Sequence, residues 1–183
     1  MNKKTDKKIN QIYEGFSLAL KEKPYNKVRV EDILIKCGVS RSTFYSYFKT
    51  KEDLLDSITK HIFEHVFSHS LSVEKTHDYS KSNILDYDHL ISHTLYHLRD
   101  EGELIREILK GDSRDIFIKN IKEKILPISK ILKDSKRIKL GLPDELVLNF
   151  ISETFIVIVD YWFNTDFKNS PEEMAQYFFE LCN

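Results

Sequence analysis

The chain has 183 residues, 41% hydrophobic and 31% charged, which suits one compact domain or a small module fused to a larger one and excludes a disordered polyelectrolyte. Five glycines and four prolines leave little punctuation for an all-β protein and ample room for long helices. The net charge of −1 hides an asymmetry: residues 1–60 hold 13 Lys/Arg against 8 Asp/Glu, the remainder 15 against 21, so the N-terminal part is expected to meet an anionic partner.

Ile9, Ile12, Tyr13, Phe16 and Leu20 recur at helical spacing and predict a first helix over about 5–22, with Pro24 in the break that follows. A short helix at 30–37 directs Val30, Ile33, Leu34 and Cys37 inward and stops at Gly38. Ser40 offers an N-cap hydroxyl for a second short helix, 41–47. Leu54, Leu55, Ile58, Ile62 and Val66 mark a long helix from Asp53 to about Val73, and residues 74–83 read as a linker. Further helices are predicted at 84–100, 103–110, 113–134, 143–164 and from Pro171, with Ser170 as the last N-cap and Pro127 expected to kink or interrupt its helix. No repeat or convincing strand is visible. The fold class is all-α with about nine helices, divided into an N-terminal module, 1–52, and a helical body, 53–183.

Two short helices joined by a Gly-containing turn make a helix-turn-helix, whose second helix reads the DNA major groove. At about 100° per residue, Phe44 and Phe48 share a face and should plug the core. Ser42, Thr43, Tyr45, Ser46 and Tyr47 occupy the remaining arc with hydroxyls and phenols able to donate to phosphate oxygens, and the Tyr rings and Thr methyl can touch thymine methyls. Arg41 and Lys51 supply charge at the two ends. The same tyrosines could instead be half-buried packing residues of a small helical subdomain.

The stretch KVRVEDILIKCGVSRSTFYSYFKTKEDLL, Lys27 to Leu55, resembles the N-terminal domain of the TetR (tetracycline-repressor) family of bacterial regulators. Gly38-Val39-Ser40, Thr43-Phe44-Tyr45, Tyr47-Phe48 and Lys51-Glu52-Asp53-Leu54-Leu55 carry the match, which covers roughly residues 5–60. The resemblance implies backbone contacts by Thr43, Tyr45, Tyr47 and Lys51, and places Arg41, Ser42 and Ser46 near base edges. Arg29 departs from the family's usual Thr or Ser cap. Leu34 and Cys37 stand where alanines are frequent, which implies looser packing of the short helices.

Asn149–Asn164 is apolar almost all round, so it should be buried on two sides, one against its own domain and one against a second subunit; a central core helix of a monomer is the alternative. A polar stripe of Asn149, Glu153, Asp160 and Asn164 could set pairing register. In the resembled family the last two helices form a four-helix dimer interface, which implies contacts by Phe150, Phe155, Val159, Phe163, Met174 and Phe178. Such a dimer would read a palindromic operator of double-stranded DNA with two helices roughly 34–36 Å apart.

Six of the seven histidines fall in runs spaced i, i+4, i+8: His61, His65, His69 and His89, His93, His97. Such spacing can hold a transition metal, but solvated or packing histidines are the favoured reading and no cysteine lies nearby, so no metal and no cofactor is expected. The first run shares an arc with Leu54, Ile58 and Ile62 and should be partly buried; the second flanks Leu90, away from the Ile91, Leu95 and Leu98 stripe. His93, Tyr96, His97, Phe117, Phe155 and Trp162 are candidates to line a pocket for an unknown small-molecule effector.

Cys37 and Cys182 lack metal or redox spacing, and Lys3, Lys4, Lys7 and Lys8 are not followed by an apolar stretch, so a cytoplasmic protein without a signal peptide is expected. The longest apolar run, Phe155–Val159, is far short of a membrane span. No Ser-His-Asp order, phosphate-cradling glycine loop or paired carboxylates mark an enzyme. The expectation is a homodimeric, ligand-released repressor. The alternatives are a coactivator of the same fold answering to a protein partner, which a body with every ring packed on another would favour, and a metal-sensing regulator.

Overall fold

The computed structural model describes residues 3–66 and 87–183 in secondary structure, with side chains placed for 7–63 and 89–183. Among these residues it has nine α-helices, one 3-10 turn and no strand. The helices are α1 (Lys3–Glu22), α2 (Val30–Cys37), α3 (Arg41–Tyr47), α4 (Lys51–Val66), α5 (Tyr87–Asp100), α6 (Gly102–Lys110), α7 (Arg114–Asp134), α8 (Asp144–Asn164) and α9 (Pro171–Cys182). The predicted linker, 74–83, and the predicted end of the fourth helix, near Val73, lie outside the described residues.

Local chemistry explains most boundaries. Gly38 ends α2 in the left-handed conformation, φ +63°, and its N–H bonds to the Leu34 carbonyl at 3.0 Å. Ser40 caps α3 by accepting from the Thr43 N–H at 3.1 Å. Thr50 and Asp53 form a reciprocal cap: Asp53 accepts from the Lys49 and Thr50 N–H groups, and the Thr50 hydroxyl accepts from the Asp53 N–H. That cap starts α4 two residues before the predicted Asp53. Ser170 and Glu173 cap α9 in the same way, with Pro171 in its first turn.

Pro127 does not interrupt α7. It sits on the exposed face, where water can reach the Glu123 carbonyl left without an intrahelical donor.

The chain forms two compact units, Met1–Thr59 with Glu101–Phe117, and Lys60–Asp100 with Ile118–Asn183. In the first, Ile12, Phe16, Ile33, Phe44, Leu54, Leu55, Ile58, Ile105, Ile108 and Phe117 make the core, and α1 packs on both α2 and α6. Gly15 lets α1 press directly on α2: a Cβ there would lie 2.6 Å from Cys37 Cβ and 2.9 Å from its backbone nitrogen. The absent side chain at Gly15 makes the room that Cys37 takes up between α1 and α2.

In the second unit α9 packs against α5 and α8, around Ile91, Leu95, Ile125, Ile151, Phe155, Trp162, Met174 and Phe178. By length and composition α8 is the one helix among the described residues able to cross a bilayer, and 50% of its apolar window is buried inside the fold. It exceeds the short Phe155–Val159 run because Ser152, Glu153 and Thr154 interrupt its apolar sequence without lowering the average enough.

Candidate nucleic-acid interface

The first unit presents α3 with its aromatics divided. Phe44 is fully buried and Phe48 nearly so, their ring centroids 5.7 Å apart, and Phe48 also meets Tyr13 of α1 at 6.5 Å. Arg41, Ser42, Tyr45 and Ser46 are exposed, and Thr43 and Tyr47 are half-buried. Two phenylalanines thus fix α3 to the core while five hydroxyl side chains and one guanidinium are left on or near the surface.

Several of those groups already have partners. The Thr43 and Ser42 hydroxyls lie 2.7 and 3.1 Å from Ser40 Oγ, and Ser46 donates to the Thr43 carbonyl at 2.6 Å. Arg41 pairs with Glu31 of α2 at 2.9 Å and stands 5.7 Å from the Tyr45 ring centre; the Tyr45 phenol and the Glu31 carboxylate both favour the charged guanidinium and raise its pKa. A hydroxyl that donates inward still has lone pairs facing out, so these bonds orient the side chains without using them up.

Lys51 sits differently from what a purely outward role would require. Its ammonium donates to the Tyr25 carbonyl at 2.6 Å and the Val28 carbonyl at 3.1 Å, and lies 4.3 Å from the Tyr25 ring centre. Two of its three N–H donors therefore tie α4 to the turn after α1. Tyr25 is in turn held by Glu52, which accepts from its hydroxyl at 3.0 Å; burial and the Glu52 carboxylate push that phenol's pKa well up. Asp112 accepts from the Tyr25 and Asn26 N–H groups at 2.6 and 2.9 Å, closing the start of the 3-10 turn from 86 residues away. Sequence reasoning missed Tyr25 and Asp112, since neither lies in the helix-turn-helix motif. At the α2 cap, Arg29 has no acceptor to offer; Asp32 takes its N–H at 2.9 Å instead.

The second unit sorts the remaining candidates. Phe155, Val159, Met174 and Phe178 are fully buried in the protomer's own core and have no surface for a second subunit, which corrects their assignment to the interface. Of the expected set Phe150 is exposed and Phe163 half-buried. The outward apolar residues are Leu146, Phe150, Val157 and Tyr161 on α8 and Tyr177 and Leu181 on α9, each group falling on one helical stripe. Asn149, Glu153, Asp160 and Asn164 run beside the α8 stripe, with Glu153 paired to Lys122.

A cleft of about 490 Å³ opens in this unit between α5, α9 and Arg137, lined among others by His89, Ser92, Glu172, Gln176 and Glu180. None of the six expected pocket residues borders it. Phe155 is enclosed by Phe63 and Phe178, with ring centres 6.3 and 6.2 Å away, and Trp162 donates to the Asn169 carbonyl at 2.9 Å; both have no accessible surface for a cavity to meet. Phe117 belongs to the core of the first unit. His93 is buried, its Nε2 3.0 Å from that of the half-buried His97, and Tyr96 is half-buried beneath the Arg99 guanidinium at 4.7 Å.

Among the described residues, His61 is exposed where partial burial was expected, and His93 of the second run is buried. His61 lies on the solvent flank of the helix turn that buries Ile62 and Phe63, while His93 points into the α5 core. The His65 and His69 side chains lie outside the described residues. Among the described residues no three His, Cys, Asp or Glu side chains gather to hold a metal ion.

Residues 19–58 match the family model for bacterial regulatory proteins of the tetR family, and residues 86–183 match that for a transcriptional regulator C-terminal region. An uncharacterized HTH-type transcriptional regulator of Bacillus subtilis, YuxN, is 30% identical over 77 residues, 39% of this chain and 26% of its own length, so the chain spans about a quarter of that relative. A TetR transcriptional regulator from Streptococcus agalactiae has a similar fold, with TM-score 0.69 and 23% identity over 98% of this chain and 96% of its own. A putative TetR-family regulator from Syntrophomonas wolfei is similar at TM-score 0.64 and 20% identity, covering 96% and 92%.

Proposed function

The chain belongs to the TetR family of bacterial transcriptional regulators, and from that premise we propose that it is a cytoplasmic, homodimeric repressor that binds a palindromic operator and is released by a small-molecule effector. The observation that carries the DNA-binding part is the division of α3, with Phe44 and Phe48 inward and Arg41, Ser42, Tyr45 and Ser46 outward. A helix so anchored can enter the major groove as a rigid reader while its hydroxyls hold phosphates. Residues 1–52 supply the reading head and 53–183 the effector-binding and dimerising body, with Glu101–Phe117 packed into the head's own unit.

The exposed stripe of α8 and α9 supports the dimer. Four large apolar side chains on α8 and two on α9 are left in water, flanked by polar residues that would fix the register of a two-fold pairing. The cleft between α5 and α9 has the size of a small-molecule site and supports an effector there. An effector acts by favouring a protomer arrangement whose reading heads no longer match the operator spacing.

The test is a fluorescence-anisotropy titration of purified protein against duplexes tiling the DNA upstream of its own gene. Tight binding to one palindromic segment, falling steeply with salt and weakened by Tyr47→Ala at unchanged helical content, is expected. Binding that is equal for every segment, or insensitive to Tyr47→Ala, would sink the reading.

A further inference from the structure

We infer that Glu31, on α2, determines operator sequence jointly with Arg41, the two side chains reading a single C·G base pair. The inference rests on the DNA-binding reading above. Arg41 is the first residue of α3, and in a helix-turn-helix the N-terminal residues of the second helix reach base edges. Its guanidinium is held on one side by Glu31 Oε1 at 2.9 Å and on another by the Tyr45 ring, 5.7 Å away. A guanidinium carries five N–H donors in a rigid fork, so the bond to Glu31 leaves most of that fork for another acceptor. Its direction is set before DNA arrives.

The pair does little for the fold. Both side chains are more than half exposed, and an exposed, solvent-screened ion pair adds little to stability. Its consequence falls instead on whatever approaches this face. A carboxylate here repels phosphate oxygens and occupies the arginine that would otherwise bind them, so it opposes docking on the sugar-phosphate backbone of arbitrary DNA. A base edge is different. Guanine offers O6 and N7 to a guanidinium, and its partner cytosine offers the N4 amino donor to a carboxylate. In the major groove, C·G matches both halves of the Arg41–Glu31 pair.

The experiment is selection of full-length protein on randomised duplexes, run with the wild type, Glu31→Ala and Arg41→Ala, each checked by circular dichroism. The wild type is expected to enrich a palindrome with one C·G pair at a fixed place in each half. Glu31→Ala should lower discrimination at that pair about 5- to 150-fold and bind unrelated duplex more tightly. Arg41→Ala should lose the same discrimination without the gain on unrelated DNA. Retention of the wild-type preference by Glu31→Ala, or loss of a different position in the two variants, would overturn the inference while leaving DNA binding intact. A wild type that enriches no sequence would overturn the DNA-binding reading itself, and this inference with it.

Discussion

Lys51 at the start of α4 grips Tyr25 twice, donating to its carbonyl oxygen at 2.6 Å and standing 4.3 Å from its ring centre. This joins the beginning of α4 to the turn that follows α1. Lys51→Ala should therefore lower stability as well as DNA affinity. The removed bonds are charge-assisted, so a loss of about 1.5–3 kcal/mol is expected from the urea midpoint. An unchanged midpoint with weakened DNA binding would show that Lys51 acts on phosphate alone.

Asp112 closes the same turn from the other side by accepting from the Tyr25 and Asn26 N–H groups. Asp112→Ala should strand two backbone donors near the surface and destabilise by about 1–3 kcal/mol. Hydrogen exchange at the Tyr25 and Asn26 amides gives a local readout. Both should exchange faster in the variant, and equal rates would refute the clamp.

Gly15→Ala is expected to be costly although alanine favours helices. Its Cβ would fall 2.6 Å from Cys37 Cβ, forcing α1 off α2. Overpacking of this kind costs about 1–3 kcal/mol, more than the gain of about 1 kcal/mol in helix propensity. Neither Cys37→Ala nor Cys37→Gly should rescue it, since the Cys37 backbone nitrogen and the Ile33 carbonyl oxygen would still lie 2.9 and 3.0 Å from the new Cβ. Denaturant midpoints of the three variants decide the point.

The exposed α8 stripe gives a test of assembly. Val157, 58% exposed, can be changed to Asp at little cost to the protomer, yet a charge in an apolar interface should split a dimer. Sedimentation should show a dimer for the wild type and a monomer for Val157→Asp. Phe178→Ala, in the core, should instead lose about 3–5 kcal/mol of stability.

At alkaline pH the chain should weaken. Burial pushes the Cys182 thiol up to about 11 from 9.0, and the Tyr13 phenol up to about 12 from 10.0. Both groups are protonated when buried, so their contribution is intact below the unfolded values. It is lost as the unfolded chain ionises first, from about pH 9 for Cys182 through pH 11. Cys182→Ala should flatten that part of the stability profile, and an unaltered slope would show that the thiol is not its source.

The sequence by itself determined the helices and the face of α3. Helical periodicity is local, and so are the caps: Gly38 through its left-handed backbone, Ser40 and Ser170 through hydroxyls that accept from an N–H three residues on. The split between Phe44 and Tyr45 follows from the angle between adjacent positions on one helix.

What only the tertiary structure decided is which apolar face meets which neighbour. Phe155 and Val157 read alike in an apolar helix, yet one is sealed beneath Phe63 and Phe178 and the other faces water. The same holds for Lys51, whose charge read as outward until Tyr25 and Val28 proved to hold it. Glu31 and Arg41, ten positions apart, meet only because α2 and α3 fold across the Gly38 turn. Packing partners distant in sequence leave no periodic trace, so a pattern of hydrophobicity fixes that a side chain is buried or amphipathic, and the three-dimensional fold fixes against what.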